Sequence, residues 1–481
     1  MTLKISMKNK LGYSFASFSD ACSYTFVSTF FLFFLTTIAG VNPAIAGTIV
    51  AVGTLFDAVM GLTIGFVSDN FSSRYGRRIP FIFGGAFPLA IAISLMFFTL
   101  DLSDPARILY YGVMTLVFWG SYATYFIPYM ALGAELTTDY NERTVLRSYA
   151  FISNTIGMTV GMAVPTVIVD AIVNKGFSLN FAWQMIGIIV GLCIFLALMT
   201  SCVIFKDDTT ISGDNRQERE MTRKPFEIGK FLSHMVSEYR EVLKLKPLQI
   251  LMLASILFMV SFSMNFAGRI YFLTYNQNLT GTQITIIFFS FSAASLLLAP
   301  VILGFSKIFD KKQVLIFGLV LTAILVTGMR FIGAESFLGS LIYCVIFSIA
   351  NTSYWQLATA IIYDVCELDE LINDKRREGA IVSLQSISEA ISAAISLQTL
   401  GLILEFSGFD GEAAVQTDTS LFWLENSFSI VPALFLILAM IAVIKYPINK
   451  KSFSEILKQL EIKKEGGAPD MSNLKKMYHK R

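Results

Sequence analysis

Charge is what this chain of 481 residues has little of: 15% of its residues are charged, where a soluble domain carries about 25%. A cytosolic enzyme or a disordered chain is excluded on that ground, because neither hides so little charge among so much apolar surface. Histidine is rarer still, with only His234 and His479, both in polar stretches, so a histidine-based catalytic centre has no material. Five cysteines (Cys22, Cys193, Cys202, Cys344, Cys366) show no CxxC spacing, and four lie in apolar runs. They read as buried free thiols, with neither a disulfide framework nor a metal centre. A phosphate loop of the GxxxxGK[ST] type is missing, which argues against ATP drive. The net charge of +2 gives no field to attract nucleic acid. No cleavable signal is expected, since Lys4, Lys8 and Lys10 precede an apolar run too long for a signal-peptide core.

What is present is apolar: 54% of residues, 43 of them phenylalanine, at a mean hydropathy of +0.63. A helix needs about 20 apolar residues to cross a bilayer, and lipid leaves the helix as the economical way to satisfy its backbone. Twelve runs qualify: 12–39, 44–68, 79–100, 106–135, 145–173, 181–205, 247–275, 282–306, 312–333, 335–363, 379–405 and 420–446. The fold class is therefore all-α and integral to the membrane, with twelve transmembrane helices. With the N-terminus inside, the inner segments hold 33 of the 37 basic residues, so both termini are expected on the cytoplasmic side of the cell membrane. The expected organisation is a six-helix bundle at 1–205, a cytoplasmic linker at 206–246, a second bundle at 247–446 and a polar tail at 447–481.

The inner loops repeat. Gly65 and Asp69 lead into Ser73, Arg74, Gly76, Arg77 and Arg78 after the second run, as Gly304, Asp310, Lys311 and Lys312 follow the eighth. Asp139, Glu142 and Arg143 follow the fourth, as Asp374, Arg376, Arg377 and Glu378 follow the tenth, each pair of clusters about 235–240 residues apart. Two six-helix halves with matching clusters suggest the parallel-repeat architecture of the major facilitator transporters. Leu11, Gly12, Tyr13 and Ser14, then Asp20, Phe56 with Asp57, and the Asp69-to-Pro80 cluster resemble the glycoside–pentoside–hexuronide:cation symporters, the melibiose permease group. So do Ile127-Pro128-Tyr129, Asp139 with Glu142 and Arg143, Tyr363 with Asp364, and Arg376-Arg377-Glu378-Gly379. The resemblance implies a sugar contact at Asp20 and a cation site at Asp57. The group's second span-2 aspartate is here Gly61, its span-4 aspartate Phe126, and its span-11 lysine Ala390. A two-carboxylate Na+ site is thus not expected, and H+ coupling or none is.

An ionisable side chain at mid-bilayer costs a few kcal/mol, so function is its default reading. Asp20 lies near mid-depth in the first run, and Asp57 in the second beside Gly53, Gly61 and Gly65. Glu389 stands in the eleventh among Gln385, Ser386, Ser388 and Ser392. Asp57 and Glu389 are the expected proton or cation-coupling groups, with pairing inside the bundle as the competing account. Arg269 falls near the outer end of the seventh run, either snorkelling to the headgroups or serving an outer gate with Asn265. Tyr122, Tyr125 and Tyr129 share one helical face, which fits packing or a wall for sugar rings. The expected solute contacts are Asp20, Tyr24, Tyr122, Tyr125, Asn265, Arg269, Trp355 and Gln385. Asp69, Arg74, Arg77, Arg78, Asp139, Glu142, Arg143, Asp364, Arg376, Arg377 and Glu378 form the expected inner gate, or a plain positive-inside anchor. Residues 450–481 read as a mobile basic tail with room for one surface helix.

These residues make a secondary transporter, not an enzyme, of a small glycoside or related solute, acting as a monomer in the bilayer without cofactor, metal or nucleic acid, and coupled to H+ before Na+. A carrier of an amphipathic, lipid-like solute is one alternative. A non-transporting receptor is the other.

Overall fold

The structure, a computed structural model, describes residues 5–71, 73, 76–136, 140–206, 237–332, 336–373, 377–411, 413, 415–465 and 467–470. Six long helices come first: α1 (Met7–Thr37), α2 (Pro43–Asn70), α3 (Ile79–Met96), α4 (Asp104–Glu135), α5 (Tyr140–Val173) and α6 (Leu179–Lys206). The second series is α7 (Lys246–Tyr271), which ends in a π turn at Phe272–Asn276, then α8 (Gly281–Ile308), α9 (Lys311–Ile332), α10 (Phe337–Asn373) and α11 (Glu378–Phe406). It closes with α12 (Asp418–Phe428), α13 (Ile430–Lys445) and α14 (Lys450–Lys464).

Eleven described spans are long and apolar enough to cross a membrane, α12 and α13 counting as one. The expected run 106–135 forms α4, which is not among the eleven; its five tyrosines lower its hydropathy. The helix starts follow local rules. Asn42 caps α2 by accepting from the Ala44 and Ile45 amides, with Pro43 in the first helical position. Gly40, at φ +64°, makes the turn before it.

The helices cluster into two compact units. The first comprises residues 1–223, 266–292 and 397–424. In it α1 is buried along most of its length and packs chiefly on α5. Gly157 and Gly161 of α5 make that contact possible, because a Cβ on either would collide with the Phe18 or Cys22 carbonyl. The last turns of α7 and α11 and the first half of α8 also belong here. Thr36 pairs with the Tyr271 hydroxyl at 2.7 Å, Thr166 with Thr285 at 2.7 Å, and the Asn42 amide donates to Glu405 at 2.7 Å.

The second unit comprises residues 224–265, 293–396 and 425–481. Here α9 packs on α10 and α13, and α14 on α10. Pro432 brings no N–H to the Phe428 carbonyl one turn before it, and the helix breaks at Ser429 between α12 and α13. The Tyr343 hydroxyl and the Asn265 amide donate to that carbonyl instead, at 2.6 and 2.9 Å. The tail is docked over Lys450–Lys464, contrary to a mobile reading. Ile456 and Leu460 are buried, the Lys463 amine donates to the Leu371 carbonyl at 2.6 Å, and Lys464 pairs with Glu370.

Candidate functional site

In the first unit the site grows from Asp20, near the middle of α1. Tyr122 of α4 donates its hydroxyl to one Asp20 oxygen at 2.5 Å, and Asn154 of α5 donates its amide to the other at 3.2 Å. Three helices thus converge on one carboxylate, and each oxygen keeps lone pairs for a further donor. Tyr122 is fixed in turn by stacking on Phe126, with ring centroids 5.3 Å apart and planes 18° apart. Tyr24, one turn beyond Asp20, is exposed, and its ring stands 6.0 Å from Trp119 and 6.3 Å from Tyr122. Charge, hydroxyl, amide and an open aromatic face together suit a hydroxylated ring.

Asp57 lies half-buried on α2, close enough to Asp20 for the two carboxylates to interact, and forms no hydrogen bond or ion pair among the described residues. A Cβ at Gly61, one turn further on, would meet the Ile127 Cδ1 at an ordinary 3.6 Å. The backbone there tolerates a side chain's first carbon, and the carboxylate is what the position lacks. Tyr125 is fully buried, its Cβ against Gly85 of α3.

In the second unit Glu389 of α11 is the centre. The Tyr354 hydroxyl and the Gln385 amide both donate to its Oε1, at 2.8 and 3.0 Å, and the Gln385 amide also reaches the Ser255 hydroxyl of α7. Phe258 stacks on Tyr354 at 3.8 Å, while the exposed Trp355 meets Tyr354 edge-on.

Two expected solute contacts are buried in the fold. Asn265 is fully buried and holds the Phe428 carbonyl at the helix break, and it also reaches the Tyr343 hydroxyl at 3.2 Å. Arg269 does not snorkel. At 1% exposure its guanidinium lies over the Phe291 ring at 4.5 Å, with Phe266 and Phe288 beside it. Asn265→Leu should therefore lower stability by about 1–3 kcal/mol through an under-satisfied carbonyl and leave solute affinity unchanged. Thermal unfolding and equilibrium binding on the purified variant check both halves of that statement.

Four of the expected gate residues have partners in their own unit. Glu142 accepts from Lys10 at 3.0 Å, which ties α5 to α1, and Arg78 donates to Ser68 at 2.7 Å. Arg77 is half-buried in the bend before α3. Asp364 pairs with Lys311 at 2.9 Å. Arg377 grips Asp369 with two donors, at 2.9 and 2.6 Å, and Glu241 with a third. The Asp369 hydrogen bonds hold the Arg377 guanidinium above its ordinary pKa. Arg74, Asp139 and Arg376, and the side chains of Asp69, Arg143 and Glu378, lie outside the described residues. Sequence reasoning missed Lys10, Asn154, Glu241, Ser255 and Asp369. Only Asp369 carried a signal, as an acid eight residues before Arg377.

A family model described as MFS/sugar transport protein matches residues 12–450. The chain is 28% identical to an uncharacterized symporter, YnaJ, of Bacillus subtilis (strain 168), over 95% of either chain. It is 23% identical to the glucuronide carrier protein homolog of Escherichia coli (strain K12), over 97% of this chain and 98% of that one. Among solved structures, a bacterial homologue of the human drug peptide transporters PepT1 and PepT2 superposes with a TM-score of 0.64 at 13% identity, covering 95% of this chain and 99% of that one. That likeness is one of fold.

Proposed function

The chain belongs to the MFS/sugar transport protein family, and from that premise we propose that the solute this secondary transporter carries is a small glycoside, bound at Asp20. The observation that supports this most is the Asp20 carboxylate, held by Tyr122 and Asn154 beside the open Tyr24 ring. A relative is named a glucuronide carrier homolog and another a putative sulfoquinovose importer, both ring-shaped polyhydroxyl solutes. Uptake into proteoliposomes of a panel of glucosides, galactosides, xylosides and glucuronides tests the solute class. Saturable uptake of none of them, with nucleosides and peptides also tried, would end the proposal.

Coupling falls to Asp57, with Glu389 as a second titratable group, and the ion is H+. Asp57 alone gives too few hard oxygen ligands for Na+. Uptake at fixed pH and membrane potential should accordingly show no Na+ stimulation. Gly61→Asp, whose Cβ has room beside Ile127, should introduce one. Na+ stimulation of the unaltered protein would remove H+ as the preferred ion. In this reading the protein works in the cell membrane as a monomer, with both termini cytoplasmic and the halves 1–205 and 247–446 moving as the two bundles of alternating access. The membrane-boundary clusters at Arg77 and Arg377 act as its inner gate.

An amphipathic solute is the second reading, favoured by one feature. A cavity of about 430 Å³ between α2, α3 and α4 is lined mainly by apolar groups, among them Phe56, Met60, Pro88, Val113 and Leu116. Lysophospholipid and long-chain alkyl glycosides in the same uptake panel separate the two.

A further inference from the structure

The second unit gathers lysine at one end of its helices. The turn from α8 into α9 (residues 305–312) and the passage from α13 into α14 (residues 444–452) hold six lysines and a single acid, Asp310. Hydrogen bonds bring the two segments together. Asp310 accepts the Lys312 backbone amide with Oδ1 at 2.9 Å and the Lys450 backbone amide with Oδ2 at 2.7 Å, so one carboxylate serves the first turns of both α9 and α14. The Lys312 amine donates to the Ile444 and Tyr446 carbonyls, at 2.9 and 2.6 Å. The Lys311 amine is held by Asp364 and lies 5.3 Å from the centroid of the Phe453 ring of α14.

Those contacts occupy two of the lysines and the one acid. Lys307, Lys445, Lys450 and Lys451 are exposed, and their amines form no hydrogen bond or ion pair among the described residues. The matching turn of the first half buries part of its charge instead, since Arg78 is 5% exposed and donates to Ser68. Apolar surface runs straight into the lysine patch. On α13 Leu434, Ile437, Ile441 and Ile444 are all exposed at intervals of three and four, and Lys445 is the next residue. On α8 Leu297, Val301, Phe305 and Ile308 are exposed in the same way beside Lys307. Both helices belong to spans long and apolar enough to cross a membrane, so acyl chains meet the stripes where headgroups meet the lysines. A soluble acidic partner would leave the stripes unused, and so would a free phosphate ion. An anionic head on apolar chains matches both features.

We infer that the α8–α9 turn, the end of α13 and the start of α14 form a binding site for an anionic phospholipid. Lys307, Lys445, Lys450 and Lys451 are its cations, and the exposed stripes of α8 and α13 seat its acyl chains. Asp310 and Lys312 hold the two segments together and leave those four amines to the headgroup.

The test uses the full-length protein in phosphatidylcholine nanodiscs carrying a minor share of phosphatidylglycerol or of phosphatidylcholine, either one with a photoreactive diazirine on its acyl chain. Mass spectrometry of peptides from 297–312 and 430–452 reads where each lipid attaches. Phosphatidylglycerol should label these peptides at least about tenfold more than phosphatidylcholine does, and each single Lys→Gln change should lower that preference by up to about fivefold. The four changes together should abolish it. Arg240→Gln with Lys244→Gln, two exposed cations just ahead of α7, should leave it unchanged. Equal labelling by the two lipids overturns the inference, as does a fourfold variant that keeps the preference or a control pair that loses it. Displacement of the photoreactive lipid by free glycerol phosphate also overturns it, because the site would then belong to a soluble anion. Should the fourfold variant melt at a lower temperature, salt decides on the unaltered protein: a preference undiminished at 1 M salt, where the screening length is about 3 Å, is not electrostatic and overturns the inference.

Discussion

Asp20→Asn is expected to bind the solute roughly 10- to 150-fold more weakly, while the protein folds and melts as before. The fold-change follows from losing a charge-assisted hydrogen bond of about 1.5–3 kcal/mol, at 1.4 kcal/mol per decade. Preservation of the fold follows from the neighbours. The new amide oxygen can keep the Tyr122 hydroxyl, and the Asn154 amide, which lies at 3.2 Å from Asp20, can turn over and present its own oxygen to the new N–H. The internal network therefore survives at neutral charge, and only an outside donor loses its anionic partner. Calorimetric binding and a melting curve on monodisperse protein read the two effects separately. Unchanged affinity would make Asp20 a packing carboxylate. A lowered melting temperature with unchanged affinity would say the same more strongly.

Hydropathy made the spans legible, and most helix ends lie within a few residues of the expected runs. It failed where helices continue on grounds other than apolarity. The run ending at 363 continues as α10 to Asn373, because the polar turns beyond it are held by Lys311 on Asp364 and by Arg377 on Asp369. One partner comes from another helix and the other from beyond the end of α10, and a window of apolar residues does not register them. The break at Ser429 was signalled weakly by Pro432. The donors that take over the freed Phe428 carbonyl, Asn265 and Tyr343, come from two other helices, which no local reading connects.

The site was legible in its charges and not in its amides. Asp20, Asp57 and Glu389 announce themselves because a carboxylate at mid-span is costly, and Tyr122 lies on a visible helical face. Asn154 and Ser255 look like ordinary polar residues of a membrane helix until their partners are known. Asn265 and Arg269 show the converse. Each is polar in an apolar helix, yet one satisfies a carbonyl stripped of its donor by proline, and the other spreads a delocalised cation over aromatic rings. Polarity in a span signals that a group needs a partner, and the partner is as often protein as ligand.

Arg377→Met should be the most damaging of the substitutions considered, costing about 3–5 kcal/mol and lowering the melting temperature by on the order of 10 °C. The reason is Asp369, which is completely buried and takes both a 2.9 and a 2.6 Å hydrogen bond from the guanidinium. Without Arg377, among the described residues only the Asn373 amide, at 2.7 Å, remains to it, and an uncompensated buried carboxylate is the expensive outcome. Glu241 is half-exposed, so Glu241→Gln should change stability by less than about 1 kcal/mol. Replacing both buried partners, as Arg377→Met with Asp369→Leu, should recover most of the loss, because a buried pair exchanged for apolar groups is often neutral. A double variant as unstable as Arg377→Met alone would show that the guanidinium matters through something other than the charge it covers. The recovered variant also isolates the gate. With stability restored and the solute contacts untouched, a lower uptake rate at unchanged affinity is the result a gate predicts, since such a pair biases conformations without touching the solute. Normal uptake would leave Arg377 a structural residue.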